Sequence, residues 1–258
     1  MHGMCCKFLR RLGLSALLIG AFGIPWAATA ATTGTATPPA ANQAPSDADL
    51  ANTACAIGEE KFLPADYYYC LATQSYGEHH VDRAQKFFAT AASWASKPAQ
   101  YVLGIMALHG DHQPVNRALA LAWLSLAAER PQSRFQDAYA AAYASAAPTE
   151  RQAAEKLLAS MRPTYADATA AIRAEKRYAQ GMATLKRLSS GNGHYCLEGI
   201  TTPADPGAGD PAQCPPIPAM TKALDQAAAN VFDGWTGHVT VGPLQQVAAP
   251  TPTPHKSG

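Results

Sequence analysis

The residues best able to do chemistry are two short runs in which imidazoles meet carboxylates, His79-His80-Val81-Asp82 and His109-Gly110-Asp111-His112. In an exported protein His and Asp are suitable zinc ligands. Both runs fall at junctions between helical patterns, where polar residues are expected without a metal. Neither sets two histidines one helical turn apart around a glutamate, the spacing of a hydrolytic zinc helix. The chain has no Gly-x-Ser-x-Gly elbow, and Ser93, Ser96 and Lys97 miss the Ser-x-x-Lys frame. Glu59 and Glu60 are adjacent, which fits a solvated surface better than a general acid and base. The residues therefore point to no catalytic centre, metal or cofactor.

Composition narrows the classes further. With 20 Lys+Arg against 19 Asp+Glu the formal net charge is +1, and no basic stripe is available to neutralise a row of phosphates. Nucleic acid is not an expected partner. Charged residues make up 15% of the chain and aromatics 8%, with alanine abundant, which favours closely packed helices over a thick sheet core.

Residues 1–30 carry the three parts of a secretory signal: Lys7, Arg10 and Arg11, then the apolar run 12–24, then Ala28-Thr29-Ala30 before a cleavage point at Ala31. The apolar run is too short for a permanent span, which needs roughly 20 residues. A periplasmic or secreted protein is expected. Cleavage removes Cys5 and Cys6 and leaves Cys55, Cys70, Cys196 and Cys214. An even set in an exported chain predicts disulfides, and short sequence separation favours Cys55–Cys70 and Cys196–Cys214.

The elements that must position these residues are helical. Residues 31–46 read as a polar, proline-bearing linker, and Ser46-x-x-Asp49 as the cap of a first helix. Helical periodicity follows over 64–74, 81–94, 98–109, 116–130, 136–145 and 149–161, with a long helix opened by Thr164-x-x-Asp167 and running to 188. Within 47–190 the pattern repeats. Ala84, Phe87, Phe88, Ala91 and Ala92 recur 36 residues later as Ala120, Trp123, Leu124, Ala127 and Ala128, and more weakly 34 residues on as Ala154, Leu157, Leu158 and Met161. The fold class expected is all-α, an α/α superhelical repeat array of about three helix pairs. Residues 191–247 read as a small disulfide-tied appendage on the last repeats, with a helix over 218–232 and a hairpin pairing 195–200 with 238–241. Residues 248–258 form a proline-bearing tail.

The segment Ala99-Gln100-Tyr101-Val102-Leu103-Gly104-Ile105-Met106, followed by Gly110, Asn116, Ala120, Trp123 and Ala127-Ala128-Glu129, resembles the Sel-one-like repeat, a relative of the tetratricopeptide repeat. The match weakens in the preceding unit, where Tyr67-Tyr68 replace Leu-Gly, and His112 and Gln113 stand where the family has Gly and Val. The resemblance implies an α/α superhelix and protein–protein contacts, not a reaction. Gly104, Gly110, Ala120, Trp123, Ala127 and Ala128 are then scaffold residues. Tyr69 and Tyr101 are the candidates for a concave face that holds a protein or peptide partner in the envelope. Two rival expectations are a metal-dependent envelope enzyme using the histidine runs and a peptidoglycan- or envelope-associated structural component.

Overall fold

The computed structural model describes residues 44–189, 193–197 and 214–235. The expected signal, most of the expected linker, residues 238–241 and the expected tail lie outside them. Among the described residues the fold is all-α: α1 (Asp47–Ala51), a 3-10 turn (Glu59–Lys61), α2 (Pro64–Gly77), α3 (Val81–Ser93), α4 (Lys97–His109), α5 (Arg117–Ala127), α6 (Gln136–Ser145), α7 (Pro148–Tyr165), α8 (Asp167–Leu188) and α9 (Ile217–Val231).

Local chemistry explains most of these boundaries. Ser46 and Asp49 form a reciprocal capping box at α1: the Asp49 amide donates to Ser46 Oγ at 3.2 Å and the Ser46 amide to the Asp49 carboxylate at 2.9 Å. Pro64, Pro98 and Pro148 occupy first-turn positions, where the missing N–H costs nothing. Asn116 caps α5 by accepting from the Leu119 amide at 3.0 Å. Gly110 ends α4 in the left-handed conformation, φ +72°.

Helices α2 and α3 pack as one pair and α4 and α5 as the next. In the second pair Gly104 is indispensable, because a methyl group there would lie 2.8 Å from Leu124 Cγ. The pairs share a core of Phe88, Ala91, Leu103, Met106, Trp123 and Leu126. Trp123 is 8% exposed and meets Tyr165 edge-on, ring centroids 4.7 Å apart. Ala120 and Ala127 are buried and Ala128 is half-buried.

The third pair is assembled differently. Helix α7 lies mainly against α5, α6 also packs on α5, and α6 and α7 make little contact with each other. Only Ala154 of the third set is buried, which accounts for the fainter repeat in sequence. The α7–α8 boundary also differs from expectation. Helix α7 continues through Pro163 to Tyr165, and α8 begins after the single residue Ala166 without a cap from Thr164. Its first amide, on Asp167, donates instead to Glu129 Oε2 at 2.9 Å, a cap supplied from another element.

The C-terminal segment corrects the expectation most. It packs on the beginning of the domain and on α8. Leu197, Ile217, Met220, Leu224 and Phe232 join Phe62 and Leu63, from the turn before α2, and Leu185 of α8 in one apolar cluster. The Tyr195 amide donates to the Pro215 carbonyl at 3.1 Å and the Ile217 amide to the Gly193 carbonyl at 3.2 Å, so this stretch pairs with 215–217. Both disulfides form as expected, Cys55–Cys70 and Cys196–Cys214, with Cα atoms 5.6 and 4.9 Å apart. Among the described residues no helix is long and apolar enough to cross a membrane.

Truncating a buried aromatic side chain to Ala typically costs about 3–5 kcal/mol, comparable with the whole stability of a small domain. Trp123→Ala is therefore expected to lower the melting temperature sharply, as read by circular dichroism, and a melt like that of the wild type would refute the shared-core assignment.

Candidate functional site

A cleft of about 420 Å³ lies where α2 and α4 begin, bordered by the loop 130–135 and by the end of α9 with the residues after it. Tyr69 and Asp66 stand on the α2 wall, Arg134 and Phe135 on the loop, and Asp233 on the far side. At its base lie Lys97 and Arg130, only 5% and 6% exposed.

These two cations belong to a closed network. Lys97 Nζ is 3.0 Å from Asp167 Oδ1 and 3.0 Å from Glu129 Oε2, and it donates to the Leu126 carbonyl at 2.8 Å and Gln100 Oε1 at 3.2 Å. Arg130 donates through Nε to Asp167 Oδ2 at 2.9 Å, and through Nη1 to the Val231 and Asp233 carbonyls at 2.8 and 2.9 Å. Its Nη2 donates to the Ala95 carbonyl and to Asp167 Oδ1. Every nitrogen is engaged. Gln100, fully buried, donates onward to the carbonyls of Ala92 and Tyr165 at 3.3 and 2.8 Å. The base of the cleft is thus electrically balanced and has no donor to spare for a ligand. Sequence reading placed Asp167 near a helix start and Glu129 in the repeat motif but did not connect them to Lys97 and Arg130. The available signal was a lysine and an arginine inside otherwise apolar repeat units.

The chemistry left to the cleft sits on its upper walls. Tyr69 is half-buried, its ring 5.8 Å from Phe88, and burial pushes its phenol above the ordinary value while the nearby Arg134 guanidinium pulls the other way. Arg134 is exposed and lies over the Phe135 ring at 4.9 Å. Asp66 opens into the cleft, yet the protein around it raises its carboxyl above the usual range.

Tyr101 is elsewhere. Its ring stacks on Phe135, centroids 4.8 Å apart, and with Ile105 it packs against the Leu121, Leu124 and Ala142 cluster. The expectation of a shared free face with Tyr69 is corrected, because α5, α6 and the loop 131–135 supply packing partners on the side of α4 left open in a two-helix reading.

The second histidine run meets the other end of α2. Tyr76 donates to Asp111 Oδ2 at 2.7 Å, which pushes its phenol up to about 12, and its ring stands 6.3 Å from that of His112. His80 pairs with Glu78 at 3.1 Å and His79 lies 3.9 Å from Asp47. These are separate pairs: among the described residues no three His, Cys, Asp or Glu side chains converge as metal ligands would.

Glu59 corrects another expectation, since it is 5% exposed rather than solvated. Burial, with Asp66 and then Glu60 nearby, pushes its carboxyl up to about 8. Glu60 is turned away to accept the Gly58 amide at 3.0 Å. No family model, curated protein or solved structure matches the chain.

Two outcomes test this electrostatic arrangement. Removing one partner of a buried charge set strands the others, at about 3–5 kcal/mol. Asp167→Ala should lower stability by that order in urea unfolding, whereas Glu78→Ala, at an exposed pair, should stay within about 1 kcal/mol. Equal effects would refute the network's role. For Glu59 the folded protein holds a proton that the unfolded chain releases near 4.5, so stability falls as pH rises from there through about 8. The loss is on the order of a few kcal/mol. Glu59→Gln should remove that part of the slope and unfold later than wild type at pH 9. Parallel pH profiles for the two proteins would contradict it.

Proposed function

We propose that this protein is an exported, non-catalytic interaction module built from Sel-one-like helical hairpins, which holds a segment of an envelope protein in the cleft beside Tyr69. The observation that carries this reading is the cleft itself: rigid helix starts form its walls, and its base is already saturated. A tyrosine and an arginine stand above that base where a partner can reach them. Aromatic and arginine side chains on a fixed scaffold are the usual energetic anchors of protein contacts. The two disulfides agree with an oxidising compartment, and the signal-like residues 1–30 agree with export. The resemblance of residues 99–129 to the Sel-one-like repeat points the same way.

A photo-crosslinking amino acid placed at position 69, and in a second variant at exposed position 156 on α7, tests the proposal in intact cells. Envelope-fraction adducts dominated by one partner from position 69, and absent from position 156, are expected. Mature protein from the same fraction should begin at or near Ala31. Equal labelling from both positions, or none from position 69, would overturn the cleft as the binding site.

A further inference from the structure

A second concavity, of about 400 Å³, lies along α8 beside the end of α3. Its lining includes Trp94, Ile172, Arg173, Lys176, Arg177 and Gln180. The spacing from 173 to 180 sets the last four on neighbouring ridges of one helix, so they face the same solvent. Three of these residues are cations, and among the described residues no carboxylate lines the groove. In a chain whose formal net charge is +1, that is a local concentration of one sign.

The three cations are not equally committed. Arg173 is fixed in place: its guanidinium lies 5.4 Å from the centre of the Trp94 ring and donates to the carbonyls of Ser93, the last residue of α3, and Thr164, near the end of α7. Arg177 uses Nε for the Glu60 carbonyl at 3.3 Å, and among the described residues its terminal nitrogens have no partner. Lys176 is exposed and makes no hydrogen bond or ion pair there. Like charges at i, i+3 and i, i+4 oppose the helix that carries them. Scaffold duty alone does not account for Lys176 and Arg177. Beside them Ile172 is 42% exposed and Trp94 half-buried, which gives the groove one apolar wall.

We propose that this groove binds an acidic peptide segment, with two carboxylates set against Lys176 and Arg177 and an apolar side chain lodged on Trp94 and Ile172. Charge complementarity names the occupant. Three cations within about two helical turns are too few for the row of phosphates that nucleic acid presents. A membrane surface calls for a helix with a broad apolar face, and here a single isoleucine protrudes. The groove is independent of the Tyr69 cleft, and neither proposal depends on the other.

The test is fluorescence anisotropy with the oxidised protein and a labelled peptide of sequence Glu-Glu-Phe-Glu-Glu-Gly, with Lys-Lys-Phe-Lys-Lys-Gly as control. Saturable binding of the acidic peptide alone, weakening as salt rises, is expected. Lys176→Glu should weaken it about tenfold or more and Ile172→Ser about threefold, both with an unchanged melting temperature. Lys156→Glu, the same charge reversal on α7, should leave it unaltered. No binding, or equal weakening by Lys156→Glu, would overturn the proposal. So would co-sedimentation with phosphatidylglycerol vesicles that is lost in Lys176→Glu while the peptide does not bind.

Discussion

The Asp167 carboxylate is the point on which the structure turns. One oxygen meets Lys97 at the start of α4, the other meets Arg130 just beyond α5, and Arg130 in turn holds the carbonyls of Val231 and Asp233 at the end of α9. Asp167 also begins α8, its amide received by Glu129. Four elements far apart in sequence are therefore tied through a single side chain. Such a set adds little net stability over a well-packed apolar equivalent, because desolvating the charges offsets most of their attraction. Its consequence is directional. Moving α8 leaves Arg130 buried without its counter-charge and Lys97 with Glu129 alone, and moving α9 takes two carbonyl acceptors from Arg130, so competing packings are raised in energy more than the native one is lowered.

The same constraint explains why the C-terminal segment completes the domain. Arg130 fixes the end of α9, and Phe232, one residue past that helix, sits in the cluster with Phe62 and Leu63. The disulfide Cys196–Cys214 joins the two strands of chain that lead into this cluster, and Cys55–Cys70 holds the segment containing Phe62 against α2. Each closes a loop of fewer than about 20 residues, worth roughly 3 kcal/mol by restricting the unfolded chain. The apolar faces of the helix pairs leave Phe62, Leu63 and Leu185 to be covered, and α9 with Leu197 covers them.

How much of this was legible in the sequence follows from the range of each interaction. The capping box at Ser46, the stop at Gly110, the cap at Asn116 and the packing of Gly104 on the facing helix depend on residues within one motif, and the sequence states them directly. The disulfide pairing was legible because both loops are short. Most partners of Lys97, Arg130 and Gln100 lie 29 to 103 residues away, and the state of Glu59 depends on its burial, which little in the local sequence marks. Ala95 shows the limit most sharply. It adopts φ +68°, where glycine is the rule, yet its methyl group is fully buried beside Ala170 and Ala171 and its carbonyl accepts from Arg130. A residue chosen against its own backbone preference can be understood only with the distant helix in view. Tyr101 was hidden for the related reason that its packing partners include Phe135 of the loop 131–135 and Ala142 of α6, beyond the helix pair that carries it.

Saturation of the buried charges also decides where recognition can occur. A ligand reaching the base of the Tyr69 cleft would find Lys97 and Arg130 with no donor to offer, and displacing Asp167 from them would cost about 3–5 kcal/mol. Affinity must therefore come from groups above that base, namely the Tyr69 phenol, the Arg134 guanidinium and the aromatic edge of Phe135. In the groove on α8 the order is reversed. Arg173 is held by the carbonyls at the ends of α3 and α7, while the neighbouring Lys176 and the terminal nitrogens of Arg177 point free of such partners among the described residues. In both concavities the cation donors engaged by backbone carbonyls fix the fold, and the donors left over are the ones that either proposed ligand would meet. Engagement rather than burial makes that division, since Arg173 is only half-buried and is nevertheless held by carbonyls of two helices.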